Sequence, residues 1–224
     1  MFEDLFSQSD IFTSYLSGTT TLFIAAFTSI ISVANPLAAM PVFLSLTDRN
    51  TDSERINVAK KSSFYMFLVL IIFLLVGTYI MSFFGISLPG IRIAGGLIIL
   101  RAAYAMLNPD ASEKKISDEA QKAAKKKEDI SFSPMAMPML SGPGSIAVVI
   151  GLASQAEGFF DLLITSVAIL LVAFISYSVL RLAPFSAKYI GPTGMNVITR
   201  MMGFIAMAIG VQFILNGISS FFGV

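Results

Sequence analysis

The sequence lacks cysteine and histidine entirely, and charged residues occupy only 13% of its 224 positions. Without these two residue types there is no disulfide, no thiolate nucleophile, no Cys/His zinc site and no histidine general base. A soluble domain carries about 25% charged residues. The charges here are clustered and leave long uncharged stretches, which excludes a soluble enzyme, a nucleic-acid binder and a secreted domain. The net charge of +1 gives no reason to expect a polyanionic partner.

What remains is apolar, because hydrophobic residues make up 55% of the chain. A transmembrane helix needs about 20 mostly apolar residues. Six segments qualify: residues 15–47, 63–84, 91–107, 130–153, 159–184 and 196–221. The first would extend about 50 Å as a straight helix, which exceeds a bilayer core of about 30 Å, so it must tilt or break. The sequence therefore predicts an all-α membrane protein with six spans.

The distribution of basic residues orients these spans. Glu3, Asp4 and Asp10 precede the first span and no Lys or Arg does, so this end is not a signal peptide and should lie outside the cytoplasm. The loop 48–62 and the segment 108–131 carry four and six basic residues, whereas the loops 85–90 and 154–158 carry none. This alternation predicts that both termini lie outside the cytoplasm. Segment 108–131 is interpreted as a charged cytoplasmic linker that contacts anionic lipid, with a regulatory or partner-binding role as the alternative.

The linker separates two groups of three spans, residues 1–107 and 132–224, that share landmarks. Pro36 and Pro143 stand 107 positions apart, and the pair Arg92 and Arg200 stands 108 apart. Gly95 and Gly203 are also separated by 108 positions. Because three spans is an odd number, the second group must enter the membrane upside-down. This predicts two inverted three-helix repeats, an arrangement in which secondary transporters place substrate near the midplane.

Spans one and four contain prolines that should break their helices. Proline lacks an N–H and disfavours a helical residue before it. Within a bilayer, the freed backbone groups must be buried in protein or line a wet cavity. The N–H groups that begin the second half-helix suit a carboxylate, and unwound carbonyls suit an ammonium group. The sequence thus predicts a site for a small zwitterion at Asn35, Pro36, Leu37, Ala38, Ser141, Gly142, Pro143, Gly144 and Ser145. The alternative is a pair of kinks that only shape packing.

Arg92 and Arg200 each lie near the start of a predicted span. One interpretation is that their side chains only extend to the membrane surface. The other is that, together with Asn196 and Thr199, they form hydrogen bonds to the freed carbonyls of the opposing broken helix or act as a gate. No Asp or Glu lies in the interior of any predicted span, so no carboxylate proton relay is visible. The sequence indicates no cofactor and no metal site. A coupling ion, H⁺ or Na⁺, and a homo-oligomer are both left open.

Five segments in order resemble the MarC family of bacterial and archaeal inner-membrane proteins. They are residues 34–43, 84–87, 92–96, 138–144 and 196–200. The family includes the small neutral amino acid transporter SnatA, so the resemblance implies a six-span carrier for glycine, alanine and similar substrates. Ala38 departs from the family pattern, which often has glycine there. A methyl group at this position would narrow the pocket or stiffen the break.

Several classes of function compete to explain these features. The leading hypothesis is a secondary transporter that moves a small neutral amino acid across the inner membrane by alternating access. A channel is disfavoured because no ring of charges or carbonyl filter is apparent. An intramembrane enzyme lacks the necessary residues, since no His, Cys or buried carboxylate is present. A scaffold or assembly factor, or an efflux carrier for other small solutes, remains the alternative.

Overall fold

The computed structural model describes the backbone of residues 2–48, 50–107, 131 and 140–223, with side chains except those of residues 2–17, 45 and 192. Within these residues the chain is helical, with no strand. Helix α1 spans Phe2–Ala34, α2 Pro36–Leu46, α3 Asp52–Phe84, α4 Leu88–Leu107 and α5 Pro143–Gln155. A helical run over Phe159–Phe222 follows and has non-helical dihedrals at Gly191. We treat its parts Phe159–Gly191 and Thr193–Phe222 as α6 and α7.

Five helical segments in the described residues are long and apolar enough to cross a membrane. They are Gly18–Leu44, which runs through α1 and α2, then α3, α4, α6 and α7. The sixth apolar helix, α5, has only 13 residues and would extend about 20 Å. The predicted fourth span also includes residues 130 and 132–139, which lie outside the described residues. So does most of the predicted linker, residues 108–130.

Two helices extend further towards the predicted cytoplasmic side than hydropathy indicates. Helix α3 begins at Asp52, well before residue 63, because Thr51 and Glu54 form a capping box. The Thr51 N–H donates to Glu54 Oε2 at 2.8 Å, and the Glu54 N–H donates to Thr51 Oγ1 at 3.4 Å. Helix α6 continues past Pro184 to Gly191. Hydropathy marks the apolar part of a helix, whereas caps and backbone dihedrals set its ends.

A single apolar cluster holds the helices together. Its buried members come from every helix except α4: Ile30, Ala34, Ala39, Met40, Phe43, Val58, Ala59, Met66, Leu70, Leu74, Val148, Val149, Ile169, Val172, Leu180, Ala183 and Met195, with Leu140 before α5. Large apolar side chains also cover the outside, as at Phe83, which is 84% exposed. Such a surface is unfavourable in water and suits lipid, so these helices form a bundle for a bilayer.

Helix α4 instead packs against α7, through glycines. A methyl group placed on Gly96 would lie 2.7 Å from the Gly210 carbonyl oxygen, and one on Gly203 would lie 2.9 Å from Met106 Cβ. Gly217 lies similarly close to Ile93. Contacts nearer the C-terminal end of α4 lie nearer the N-terminal end of α7, so the two helices are antiparallel. Small residues allow this close approach where no hydrophobic effect drives helices together.

Candidate functional site

The first interruption lies at Asn35, between α1 and α2. Asn35 has φ 38° and ψ 68°, the left-handed conformation, and is the only non-glycine with positive φ in the described part of the chain. Its side-chain oxygen accepts the Ala38 N–H at 3.2 Å, and its carbonyl accepts the same N–H at 3.0 Å. Pro36, the first residue of α2, has no N–H to satisfy. Asn35 therefore caps α2. It accepts the Ala38 N–H, a donor that was predicted to bind a ligand.

The second predicted interruption lies at Gly142, where α5 begins; residues 132–139 before it lie outside the described residues. Gly142 is extended, with φ −66° and ψ 172°, and makes no side-chain capping bond because it has no side chain. Its carbonyl accepts the Ile146 N–H at 3.0 Å, and Pro143 begins the helix. The first N–H groups of α5 are those of Gly144 and Ser145, which have no carbonyl one turn earlier in the helix to bind. The N-terminus of α5 thus lacks the side-chain cap that α2 possesses.

The two interruptions lie next to each other in the bundle. A methyl group on Gly144 would lie 3.0 Å from Val33 Cγ1, and Val33 precedes Asn35 by two residues. The same methyl would lie 2.6 Å from Ile99 Cγ1 on α4. The backbone at the start of α5 therefore approaches both α1 and α4 closely, and a side chain at position 144 would separate them.

The remaining predicted residues near the interruptions have varied environments. Ser141 and Ser145 are buried, and Ser145 Oγ donates to the Leu140 carbonyl at 3.3 Å. Pro36 is buried, whereas Leu37 and Pro143 are exposed. Two hydroxyls and two helix starts therefore lie at this level of the bundle, partly enclosed by protein.

The predicted gate residues are divided between two places. Asn196 and Arg200 are exposed on α7, and the Thr199 hydroxyl donates to the Met195 carbonyl of its own helix at 2.9 Å. Arg92, at the opposite end of the bundle, donates from Nη1 to Ser220 Oγ at 2.8 Å. Arg92 thus links α4 to α7, whereas Asn196, Thr199 and Arg200 lie at the other end of the bundle.

Arg92 also lines a cavity of about 270 Å³. The lining residues come from α1, α4, α5 and α7: Ser29, Arg92, Ala147, Val148, Gly151, Leu152, Gln155, Phe213, Asn216, Ser219 and Ser220. Of the predicted site residues, only Arg92 is among them. The sequence signal that was missed is the polar character of Asn216, Ser219 and Ser220 at the end of an otherwise apolar span.

The described residues contain no cluster of the side chains that usually bind transition metals. No group of three or more His, Cys, Asp or Glu side chains occurs among them. The polar groups at the interruptions and in the cavity are hydroxyls, amides, backbone groups and one guanidinium. Such groups can bind a small polar or charged organic molecule by hydrogen bonds.

Comparison with known proteins agrees with the membrane architecture. The chain is 41% identical to a UPF0056 membrane protein of Methanocaldococcus jannaschii, over 88% of this chain and 95% of the relative. It is 38% identical to the UPF0056 inner membrane protein MarC of Escherichia coli, over 84% of this chain and 90% of the relative. A Bacillus subtilis UPF0056 membrane protein, YvbG, is 34% identical over 88% of this chain and 94% of the relative. No solved structure matches.

The profile that describes MarC family integral membrane proteins matches residues 20–222, which include every helix from the second half of α1 to the end of α7. The match is therefore not confined to one motif or one half of the molecule. Together with the apolar helices, it makes this a multi-pass integral membrane protein. The chain belongs to the MarC family.

Proposed function

We propose that the protein is a secondary transporter of small neutral amino acids, such as glycine and alanine, that works by alternating access across the cytoplasmic membrane. The observation that carries the proposal is the contact of Gly144 with Val33, which brings the two helix interruptions together inside the bundle. A scaffold has no need of two adjacent interruptions, whereas a zwitterion needs backbone donors and acceptors within a few ångströms of each other.

The inverted repeat predicted from the sequence, residues 1–107 against 132–224 on either side of the linker 108–131, would favour alternating access. Gly95 on α4 and Gly203 on α7 are 108 positions apart and therefore correspond in the repeat. Gly95 packs against α7, and Gly203 packs against α4. A methyl on Gly95 would lie 4.0 Å from Phe213 Cδ1, and one on Gly203 would lie 2.9 Å from Met106 Cβ. With the same separation of 108 positions, Phe213 corresponds to position 105, next to Met106. An exchange of the two halves nearly preserves the contact, as it does for any antiparallel pair of helices, so the repeat is inferred from the landmarks in the sequence.

The proposed site assigns different tasks to the two interruptions. The uncapped N–H groups of Gly144 and Ser145 hold the carboxylate, assisted by the positive end of the α5 dipole. The side-chain oxygen of Asn35 accepts the Ala38 N–H, so in this proposal its NH₂ group is the part that binds the ligand. Backbone carbonyls at Ser141 and near the end of α1 take the ammonium group. Val33 and Ile99 already lie against Gly144, so a substrate that binds its N–H can carry only a small side chain.

Flux into liposomes tests the proposal. Purified protein should accelerate uptake of radiolabelled glycine and alanine relative to protein-free vesicles, and an imposed H⁺ or Na⁺ gradient should identify any coupling ion. A thermal-shift series with the twenty amino acids should show stabilisation by the small neutral ones, because a ligand of the folded state raises the unfolding temperature. No flux and no shift would contradict the proposal.

Substitution of Asn35 and Pro143 separates transport from the scaffold alternative. If Asn35→Ala and Pro143→Ala insert normally but lose amino acid binding, the interruptions serve a ligand. If both variants fail to insert, the interruptions serve the architecture instead. Flux of other small solutes without amino acid flux would favour the efflux carrier.

A further inference from the structure

The cavity at Arg92 is slightly smaller than a typical small-molecule site and is lined by several polar residues. Its volume of about 270 Å³ lies just under the range of about 300–1,000 Å³ that is typical of drug-sized ligands. Six of its lining residues are polar: Ser29, Arg92, Gln155, Asn216, Ser219 and Ser220. It lies at the end of the bundle where α4 begins and where α5 and α7 end. In the predicted orientation, this end faces the outside of the cell.

Arg92 brings a positive charge to the cavity. No Asp or Glu is among the described residues that line the cavity with it. A guanidinium has five N–H donors, and the bond to Ser220 Oγ uses one of them. A half-buried charge is normally paired, and a guanidinium pairs best with a carboxylate, through two parallel hydrogen bonds.

The surrounding helices hold the Arg92 side chain in the cavity. A methyl group on Gly217 would lie 3.3 Å from Arg92 Cβ, so α7 packs closely on the arginine stem. The bond to Ser220, one turn further along α7, fixes the guanidinium end. An arginine that only snorkels to the membrane surface would need neither contact.

The cavity extends from Arg92 towards the proposed site between the interruptions. Ala147 and Val148 line it, and they follow Gly144 by about one helical turn, or 5.4 Å. Ala147 also packs against Gly95, since a methyl group on Gly95 would lie 2.8 Å from Ala147 Cβ. A molecule in the cavity therefore lies beside α5, about one turn from the start of that helix.

We propose that this cavity is a vestibule in which Arg92 binds the carboxylate of a small amino acid before the substrate reaches the interruptions. The inference rests on the proposed function for the identity of its ligand, but its chemistry does not. The vestibule selects carboxylates by charge, and it takes acetate as well as glycine. Arg92 thereby sets which solutes approach, and the interruptions set which are carried.

Because the chain has no cysteine, a single introduced cysteine can report on the vestibule without background. Ser219→Cys places a thiol in the cavity wall, and Ser154→Cys places one on α5 outside the lining at the same end of the bundle. Two methanethiosulfonate reagents of similar size are compared, one with a sulfonate group and one with a trimethylammonium group. Each converts the thiol to a mixed disulfide and releases methanesulfinate.

Arg92 should favour the anionic reagent at the thiol of the Ser219→Cys variant. We expect Arg92→Gln to lower the ratio of anionic to cationic labelling rates at this thiol about tenfold, and Arg92→Lys to preserve most of that ratio. The ratio in the Ser154→Cys variant should be unchanged in both backgrounds, and an unchanged unfolding midpoint in detergent shows that the proteins remain folded. A ratio at position 219 that is insensitive to Arg92→Gln would overturn the inference, as would a thiol there that neither reagent reaches.

Protection experiments separate this inference from the proposed function. Glycine and acetate should both slow labelling of the Ser219→Cys variant, 2-aminoethanol should not, and Arg92→Gln should abolish the protection. Protection without amino acid flux would support the vestibule and contradict the transporter. Flux without protection by either carboxylate would contradict the vestibule and support the transporter.

Discussion

The two helix interruptions resemble each other in sequence and differ in chemistry. Both lead into a half-helix that begins with proline, Pro36 in α2 and Pro143 in α5. At the first, Asn35 adopts a left-handed conformation and caps α2 with its own side chain. At the second, Gly142 supplies no side chain and α5 has no such cap. The comparison shows that a helix can begin with a donor bound by the side chain of its N-cap residue, as α2 does, or without such a bond, as α5 does.

The largest expected effect concerns the ligand of the uncapped break. If the N–H groups of Gly144 and Ser145 bind a carboxylate, 2-aminoethanol should bind about a hundredfold more weakly than glycine, since each hydrogen bond to a charged group contributes about 1.5–3 kcal/mol. Calorimetric titration of the purified protein measures both affinities. The discrimination should persist in Arg92→Gln, which removes only the vestibule charge. Equal affinities for the two ligands would contradict the task assigned to α5.

The next effect tests the close approach at the start of α5. Gly144→Val would place Cβ 2.6 Å from Ile99 Cγ1 and 3.0 Å from Val33 Cγ1. We expect a loss of about 1–3 kcal/mol of stability from overpacking and a loss of glycine binding. The unfolding midpoint in detergent and calorimetric titration measure these effects.

Gly18→Val is the matched control for this variant. An added Cβ at Gly18 meets nothing within 4 Å, and valine has a slightly higher helix propensity than glycine within α1, so the midpoint should hardly change. If both valine variants unfold at the temperature of the unsubstituted protein, the interruptions do not lie against each other in the way described.

The all-helical class and the apolar segments could be predicted from the sequence, because hydropathy is a local property of the chain. The cap formed by Asn35 could not, since asparagine before proline is compatible with an extended as well as a left-handed backbone. The cavity could not be predicted either. Ser29, Gln155 and Asn216 come from three helices, and only packing brings them together with Arg92.

A smaller effect is expected at the capped break. Asn35→Ala removes the cap and places alanine in a left-handed conformation, which together should cost about 1–2 kcal/mol of stability. Asn35→Gly removes the same cap but tolerates the backbone, so its loss should be a few tenths of a kcal/mol. Thermal unfolding of the two variants compares these costs. A glycine variant as unstable as the alanine variant would show that the side-chain bond, and not the conformation, holds the break.

The smallest effect is expected from Ala38→Gly, which restores the residue often found in the family pattern. The Ala38 N–H that Asn35 accepts is a backbone group, so the cap survives the substitution. The lower helix propensity of glycine should then cost at most about 1 kcal/mol of stability. The control variant Ala39→Gly should lose the same amount for this reason, and it also loses a buried methyl group. Because the capped break takes a lesser part in binding, the ratio of alanine to glycine affinity should change less than threefold in calorimetric titration. A larger change confined to Ala38→Gly would mean that the substrate side chain rests on the first interruption, and the division of tasks between the two breaks would have to be reversed.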